Sequence, residues 1–451
     1  MSEHTVSQLI SFTRDGEWGQ GEPGPGFVPM QVIRGTDFER VRFGDLSTLP
    51  IRYIREDIAG RKAIKANDIL IETAGGTKDQ PTGRTVHINE RIIAKARLPL
   101  ICASFARFLR PNMAAVDPGY LFWKLQAEYH SGALRPFHIQ HTGVARFQYT
   151  QFATSHPFLF PDDLDDQRTT AEILTQLDSK IELNRRMNET LESMAQAIFR
   201  DWFVDFGPVR RAQAGASDPV AIMGGLTQDP ARAAELASLF PAAFDDDGLP
   251  VRWVNGPFSK LVTIIGGGTP KTSVGAYWNG NIPWFSVTDT PAGKDLFVFD
   301  TEKSITKEGL ERSSARLIPA GTTIISARGT VGNLAIAGQD MSFNQSCYAL
   351  RSADSDRPVF TFLATAHLVE ALKGMAHGSV FSTITRQTFD GLNFPDAGGA
   401  VMDAFDITVA PLFNRIRASV EENKTLAETR DYLLPRLMSG AVCVTPQAEA
   451  A

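Results

Sequence analysis

Between Gln167 and Phe206 the chain runs forty residues without a glycine or a proline, and Gly207-Pro208 then stops it. Leu174, Leu177, Ile181, Met187, Leu191, Met194 and Ile198 fall along this stretch at the three- and four-residue spacing of one helical face. A helix of that length reaches about 60 Å at ~1.5 Å per residue, longer than a helix packed inside a single globular core. The spacing therefore predicts a coiled-coil strut. Asn184 and Asn188 fall on or beside the seam, where polar side chains set the register of a helix pair.

The pattern returns near the C-terminus. Met187-Asn-Glu-Thr-Leu-Glu is echoed by Glu422-Asn-Lys-Thr-Leu-Ala, and the register continues without a gap to place Leu433-Leu434 opposite Ile198-Phe199 in the alignment. Leu412, Ile416 and Val420 precede the second copy at helical spacing. The flanking regions repeat too. Gly16-Glu-Trp-Gly matches Tyr277-Trp-Asn-Gly, and Val28 to Asp37 matches Ile282 to Asp289, each ending in Thr-Asp. Lys65 to Gly75 matches Pro319 to Gly329, and Gly143 to Pro161 matches Gly378 to Pro395. Matches in a common order indicate a duplicated protein. The expected plan is a globular domain over 1–160, a long helix over 161–206, a linker over 207–250, a second globular domain over 251–398, a long helix over 399–440 and a disordered tail over 441–451. Within the linker one short helix is expected near Pro230 to Leu239.

Composition narrows the function. The net charge is −6, distributed as +4 over 1–160, −9 over 161–250, +1 over 251–400 and −2 over 401–451. Acid gathers in the first helix and the linker, so nucleic acid is permitted on the two globular domains and a protein partner elsewhere. The sequence has no apolar run long enough to span a bilayer and no signal peptide at MSEHTVSQLI, so a cytoplasmic location is expected. Cys102, Cys347 and Cys443 are scattered, which fits buried free thiols better than a disulfide framework or a zinc site. The eight histidines lack metal-ligand spacing, and Asp245-Asp-Asp reads as a solvated linker segment. No phosphate loop, HExxH or GxSxG unit occurs, nor a dinucleotide fingerprint after a strand, and a chain that does no covalent chemistry is expected.

Binding residues are better represented. Arg328 follows Ser326, and Arg386 follows Thr385, in polar glycine- or threonine-rich contexts. Lys78 and Arg84 lie in the glycine-rich loop of the first domain, with Arg107 and Arg146 as further candidates. An arginine fork reads guanine or grips phosphate, while hydroxyls and backbone N–H groups fix register on a strand. The bland alternative for each is a solvated loop arginine. Trp278 and Trp284 are expected in the core. The helix seam and partner-docking set is expected to comprise Leu177, Ile181, Leu191, Ile198, Trp202, Phe203, Leu426, Leu433 and Leu434.

Lys180-Ile-Glu-Leu-Asn-Arg-Arg-Met-Asn-Glu-Thr-Leu-Glu, running on to Phe199-Arg-Asp-Trp-Phe-Val-Asp-Phe206, resembles a motif of the DNA-specificity subunits of type I restriction–modification systems. Gly267-Gly-Thr-Pro-Lys, Ile282-Pro-Trp, Phe343-Asn-Gln-Ser and Arg430-Asp-Tyr-Leu-Leu-Pro-Arg-Leu-Met-Ser-Gly440 are similar to further motifs of that family. The resemblance implies an α+β protein: two duplicated α/β target-recognition domains separated by two long antiparallel coiled-coil helices about a pseudo-two-fold axis. Each domain would read one half of a bipartite site in double-stranded DNA, with the helices setting the spacer; half-sites one turn, about 34–36 Å, apart are within reach of such helices. It implies assembly with two methyltransferase subunits and with restriction/translocase subunits, and no membrane. No cofactor is expected on this chain, S-adenosylmethionine, ATP and Mg²⁺ being supplied through partners. The recognition domains vary most in such families, so no base-reading residue carries over. The rival readings are a duplicated protein-interaction scaffold and a self-contained methyltransferase or nuclease with a divergent core.

Overall fold

The structure is a computed structural model, describing residues 1–76, 80–140, 145–291, 295–375, 383–442 and 444. Contacts divide the chain into two units, residues 1–182 with 424–451 and residues 183–423.

Two sheets form the first unit. One is antiparallel, in the order Ile10–Asp15, Ala106–Pro111, Asp68–Glu72, Thr85–Ile88. The other places Phe27–Ile33 between antiparallel Ile51–Arg55 and parallel Leu100–Cys102. Asp68–Glu72 is buried at every position, as a central strand covered on both faces must be. Its two acids are matched: Asp68 accepts from Arg110 at 2.7 and 2.8 Å, and Glu72 from Arg84 at 2.6 and 2.9 Å. The helix Pro118–Ser131 covers the sheet, started by the Asp117 side chain and Pro118 and ended by Gly132 at φ 81°. Ser2–Thr5 pairs with Pro157–Phe160 to close the unit.

The second unit repeats this topology and adds one strand to each sheet. Its larger sheet runs Val262–Gly266, Cys347–Ser352, Thr323–Ser326, Leu334–Ala337, Phe297–Val298. In the other sheet Trp278–Phe285 lies between antiparallel Ser304–Ile305 and parallel Met341–Phe343, with Leu317–Ile318 beyond. Val254–Pro257 pairs with Asn393–Asp396, as the first strand does in the first unit.

The sequence matches coincide with equivalent backbone. Asn67 and Gly321, at φ 70° and 83°, turn into the central strands, and Gly75 and Gly329, at 109° and 80°, follow them. Trp18 and Trp278 are each followed by a left-handed residue, Gly19 at 66° and Asn279 at 60°. The Thr-Asp pairs close the same turn: Asp37 accepts from the Arg34 N–H at 2.9 Å and Asp289 from the Ser286 N–H at 2.7 Å.

The long helices are Leu164–Phe203 and Gly399–Met438, each 40 residues, related by one offset at both ends (399 − 164 = 438 − 203 = 235). They pack antiparallel within each unit. In the first, Leu174 shares a core with Leu434, Leu437 and Met438. In the second, Ala195, Phe199 and Trp202 share one with Met402, Phe405 and Val409. The buried line on the first helix repeats every seven residues, through Leu174, Ile181, Asn188, Ala195 and Trp202. The seam thus passes through Ala195, and Met194, expected on it, is 49 % exposed. Pro411 interrupts the second helix where it is harmless: Ile407, whose carbonyl loses its partner, lies on the same exposed side.

The expected linker differs most from its sequence reading. Residues 207–250 carry three short helices, Gly207–Gln213, Pro219–Ile222 and Pro230–Ala237, and belong to the second unit's core. Val209, Met223, Ala233, Leu236 and Phe240 are buried there, and Trp202 meets Phe240 edge-on at 5.0 Å. Ala-, Pro- and Asp-rich composition resembles a linker, yet the few apolar residues are spaced to bury. Asp245 accepts from the Asp247 and Leu249 N–H groups and shapes a turn.

Candidate nucleic-acid interface

In the second unit three separated motifs meet at one end of the sheets. The Gly267-Gly-Thr-Pro loop follows the first sheet strand and packs on Phe343-Asn-Gln-Ser, with the Gly268 N–H donating to Phe343 at 3.0 Å. The Thr269 hydroxyl donates to Gln345. A Cβ at Gly267 would collide with the Asn344 carbonyl, and one at Gly268 with the Ser314 carbonyl. Trp284, buried as expected, donates from Nε1 to the Gly268 carbonyl at 3.0 Å and meets half-buried Trp278 edge-on at 5.1 Å.

Beside this platform the turn 327–333 projects Arg328, which is exposed; the Ala327 and Arg328 N–H groups both donate to the Ser346 carbonyl. Ser326, an expected contact, is 1 % exposed, and its hydroxyl is engaged with the Thr330 carbonyl and the Asn333 N–H. It holds the turn that carries Arg328. The Ile384 N–H reaches the Ala327 carbonyl at 2.9 Å, bringing Thr385 and Arg386 to the same end. Thr385 precedes the helix Arg386–Gly391, and its N–H donates to the Thr388 hydroxyl. Arg386 is exposed and spends one donor on the Ile264 carbonyl at 2.9 Å. The structure therefore gathers Arg328, Thr385 and Arg386.

The corresponding end of the first unit holds Arg107 and Arg146. Arg146 is exposed on Ala145–Phe147 and bridges Ala74. Arg107 is 19 % exposed, with one N–H on the Asp15 carboxylate at 2.6 Å, another on the Thr13 hydroxyl at 3.3 Å, and its plane 4.7 Å from the Tyr149 ring. Arg84 is taken by Glu72 and three-quarters buried; that bond, outweighing burial, raises its already high pKa. Lys78 lies outside the described residues. His138 accepts from the Thr82 N–H through Nδ1, while His141 is outside the described residues.

On the helices Trp202 and Phe203 are each 1 % exposed, among Phe360, Phe394 and Phe405, so they build the seam and leave no surface for docking. Leu434 and Ile181 are buried, while Leu177, Leu191, Ile198, Leu426 and Leu433 are half-buried. Asn184 donates to Glu422 at 2.8 Å and Asn423 at 2.9 Å, whereas Asn188, 2 % exposed, has no partner for its amide among the described residues. Sequence reasoning missed the ionic pin of the first unit: Asp178 on the first long helix accepts from Arg42 and from Arg430 on the second, each at 2.8 Å. It also missed Asp406, which accepts from the Phe360 N–H at 2.9 Å at the start of the helix Pro358–Met375; burial pushes its carboxyl up to about 6. Burial also pushes the Cys102 and Cys347 thiols up to about 12. Among the described residues no cluster of His, Cys, Asp or Glu is arranged to hold a metal, and no helix is long and apolar enough to cross a membrane.

Each of the two units combines the same two-sheet topology with antiparallel portions of the two long helices. A solved S subunit of a type I restriction–modification system from M. genitalium has this fold, with a TM-score of 0.58 at 12 % identity over 97 % of this chain and 95 % of that one. The type I restriction modification DNA specificity domain matches residues 250–395. The specificity subunit of the Haemophilus influenzae type I restriction enzyme HindI is 28 % identical over 423 residues, 86 % of this chain and 89 % of that protein. The specificity subunit of Methanocaldococcus jannaschii MjaIX is 26 % identical over 149 residues, 33 % of this chain and 34 % of that protein. Over most of its length the chain is thus similar to specificity subunits of type I restriction–modification systems, and residues 250–395 match the DNA specificity domain of that family.

Proposed function

We propose that each unit reads one half of a bipartite site in double-stranded DNA, that the long helices set the unread spacer, and that this chain does no covalent chemistry of its own. The helices would dock two methyltransferase subunits, with restriction/translocase subunits joining the assembly. S-adenosylmethionine, ATP and Mg²⁺ belong, in this reading, to those partners. The observation that carries it is the duplication: one scaffold presents the same loops twice, with different side chains on each copy. Arg328 illustrates the logic, since its turn is fixed from below by Ser326 and Ser346 while its side chain is exposed.

The test is methylation of duplex DNA by the full chain reconstituted with its methyltransferase partners. A bipartite methyladenine motif that depends on this chain is expected, and Arg328→Ala should relax one half-site only. Methylation without a bipartite motif would refute the reading, and equal loss on every sequence would make Arg328 a phosphate contact.

A further inference from the structure

One cleft of about 610 Å³ in the first unit is lined by Asp15, Thr73, Arg107, Phe147, Gln148, Tyr149, Thr150 and Gln151. Arg107 is its fixed element, held between the Asp15 carboxylate and the Tyr149 ring. Among the described residues its guanidinium engages the Thr13 hydroxyl and pairs with Asp15, and the buried Nε has no partner. Asp15 remains 62 % exposed, and Gln148, Thr150 and Gln151 are exposed around it. A phosphate entering here would meet that carboxylate beside the guanidinium, a like-charge contact. A base edge, which offers donors and acceptors together, suits arginine donors set among carboxylate, amide and hydroxyl acceptors.

The second unit has the same position, differently furnished. Ile71 and Ile325 are equivalent on the central strands; the first stands opposite Arg107 and the second opposite Tyr348. Arg107 in turn faces Asp15, and Tyr348 faces Gly266. The next segment is anchored alike, by the Phe147 N–H on the Thr73 carbonyl and the Ile384 N–H on the Ala327 carbonyl, each at 2.9 Å, which makes Tyr149 equivalent to Arg386. The arginine and the tyrosine have therefore exchanged places, and glycine has replaced the acid. Among the described residues no carboxylate pairs with Arg386, whose recorded partner is the Ile264 carbonyl.

Building on the DNA-reading function proposed above, we infer that this duplicated position is used in two ways: Arg107, with Asp15 and Tyr149, reads a base edge in one half-site, and Arg386 grips a phosphate in the other. Arg107 is positioned for geometry and Arg386 is free for charge.

The experiment measures binding and methylation by the full chain with its methyltransferase partners, on duplexes carrying each base substitution in each half-site, across a salt series. Arg107→Lys keeps the charge and the pair with Asp15 but loses the fork. It should cost about 5- to 150-fold in discrimination at one base pair of one half-site, with the salt slope unchanged. Asp15→Asn should relax the same position. Arg386→Ala should weaken all sequences alike and lower the salt slope by about 0.9. Uniform loss with a shallower slope for Arg107→Lys would make it a phosphate contact and overturn the inference. So would full discrimination with a lowered melting temperature, which would leave the pair purely structural. One-position loss for Arg386→Ala would overturn the other half. A wild-type complex without salt-dependent DNA binding would instead overturn the parent function.

Discussion

Asp178→Asn tests how the first unit is held to its helices. Asp178 is 7 % exposed and bridges Arg42, 21 % exposed, and Arg430, 24 % exposed, with both N–O distances at 2.8 Å. Arg42 also lies over Trp123 at 4.9 Å and Phe122 at 5.1 Å, so it cannot swing to water without leaving an aromatic bed. Burial pulls the Arg42 pKa down, Asp178 opposes that, and Arg430 adds to it. Asparagine retains the shape, removes the charge and leaves two guanidinium groups facing each other. Breaking a buried pair costs about 3–5 kcal/mol. Arg430 keeps Asp431 at 2.8 Å, which places the expected loss near the lower end, about 3 kcal/mol. For a unit of roughly 200 residues that is a fall of about 6–12 °C in melting temperature. Calorimetry reads the fall, and hydrogen exchange should show it first in Phe38–Arg42, the helix that carries Arg42. Replacing all three residues with apolar ones of similar volume should restore most of the stability. A loss below about 1 kcal/mol would place the triad among screened surface pairs and refute the reasoning. An equal loss in an Arg42→Met background would refute the coupling.

Two further outcomes follow from single side chains. The carboxyl of Asp406 is raised in the fold to about 6 from an unfolded value near 4, so the native state holds the extra proton between those values. Its contribution to stability is full below pH ~4 and is lost as pH rises through ~6, by about 3 kcal/mol; urea melts across that range should show this component, and Asp406→Asn should flatten it. Gly267→Ala should destabilise the second unit by about 1–3 kcal/mol or more through collision with the Asn344 carbonyl, while Gly266→Ala, with nothing within 4 Å, should leave the melting temperature unchanged. Equal effects at the two glycines would contradict the packing described for that loop.

Much of the architecture was legible because duplication writes the same physical demand twice. The offset of 235 between the long helices, the left-handed turns at Asn67 and Gly321, and the Thr-Asp turns at Asp37 and Asp289 are local requirements that a sequence states locally. Met194 misled because side-chain size was taken for burial. A seven-residue seam selects position 195, where alanine lets the helices approach. The folded segment over 207–250 misled for the opposite reason: its few apolar residues find partners outside the segment, Phe240 meeting Trp202 and Trp253 and the others joining the core that contains Phe405 and Val409.

The site was less legible because an arginine's fate is decided by groups no local pattern reveals. Arg84 and Arg328 both follow small polar residues in glycine-containing loops, yet Glu72 on the neighbouring strand claims the first, while the second is exposed. Glu72 and Ser326 occupy equivalent ends of the central strands, and each is buried holding the loop that follows, one through a side chain and the other through backbone. The scaffold's need therefore recurs even where its chemistry changes. Positions such as Arg107 and Tyr348 share the scaffold but not the residue: Tyr348 packs edge-on against Phe389 at 6.2 Å, whereas Arg107 pairs with Asp15 at the mouth of a cleft. In a duplicated reader of two different half-sites, equivalent positions that differ in this way are where recognition should be sought first.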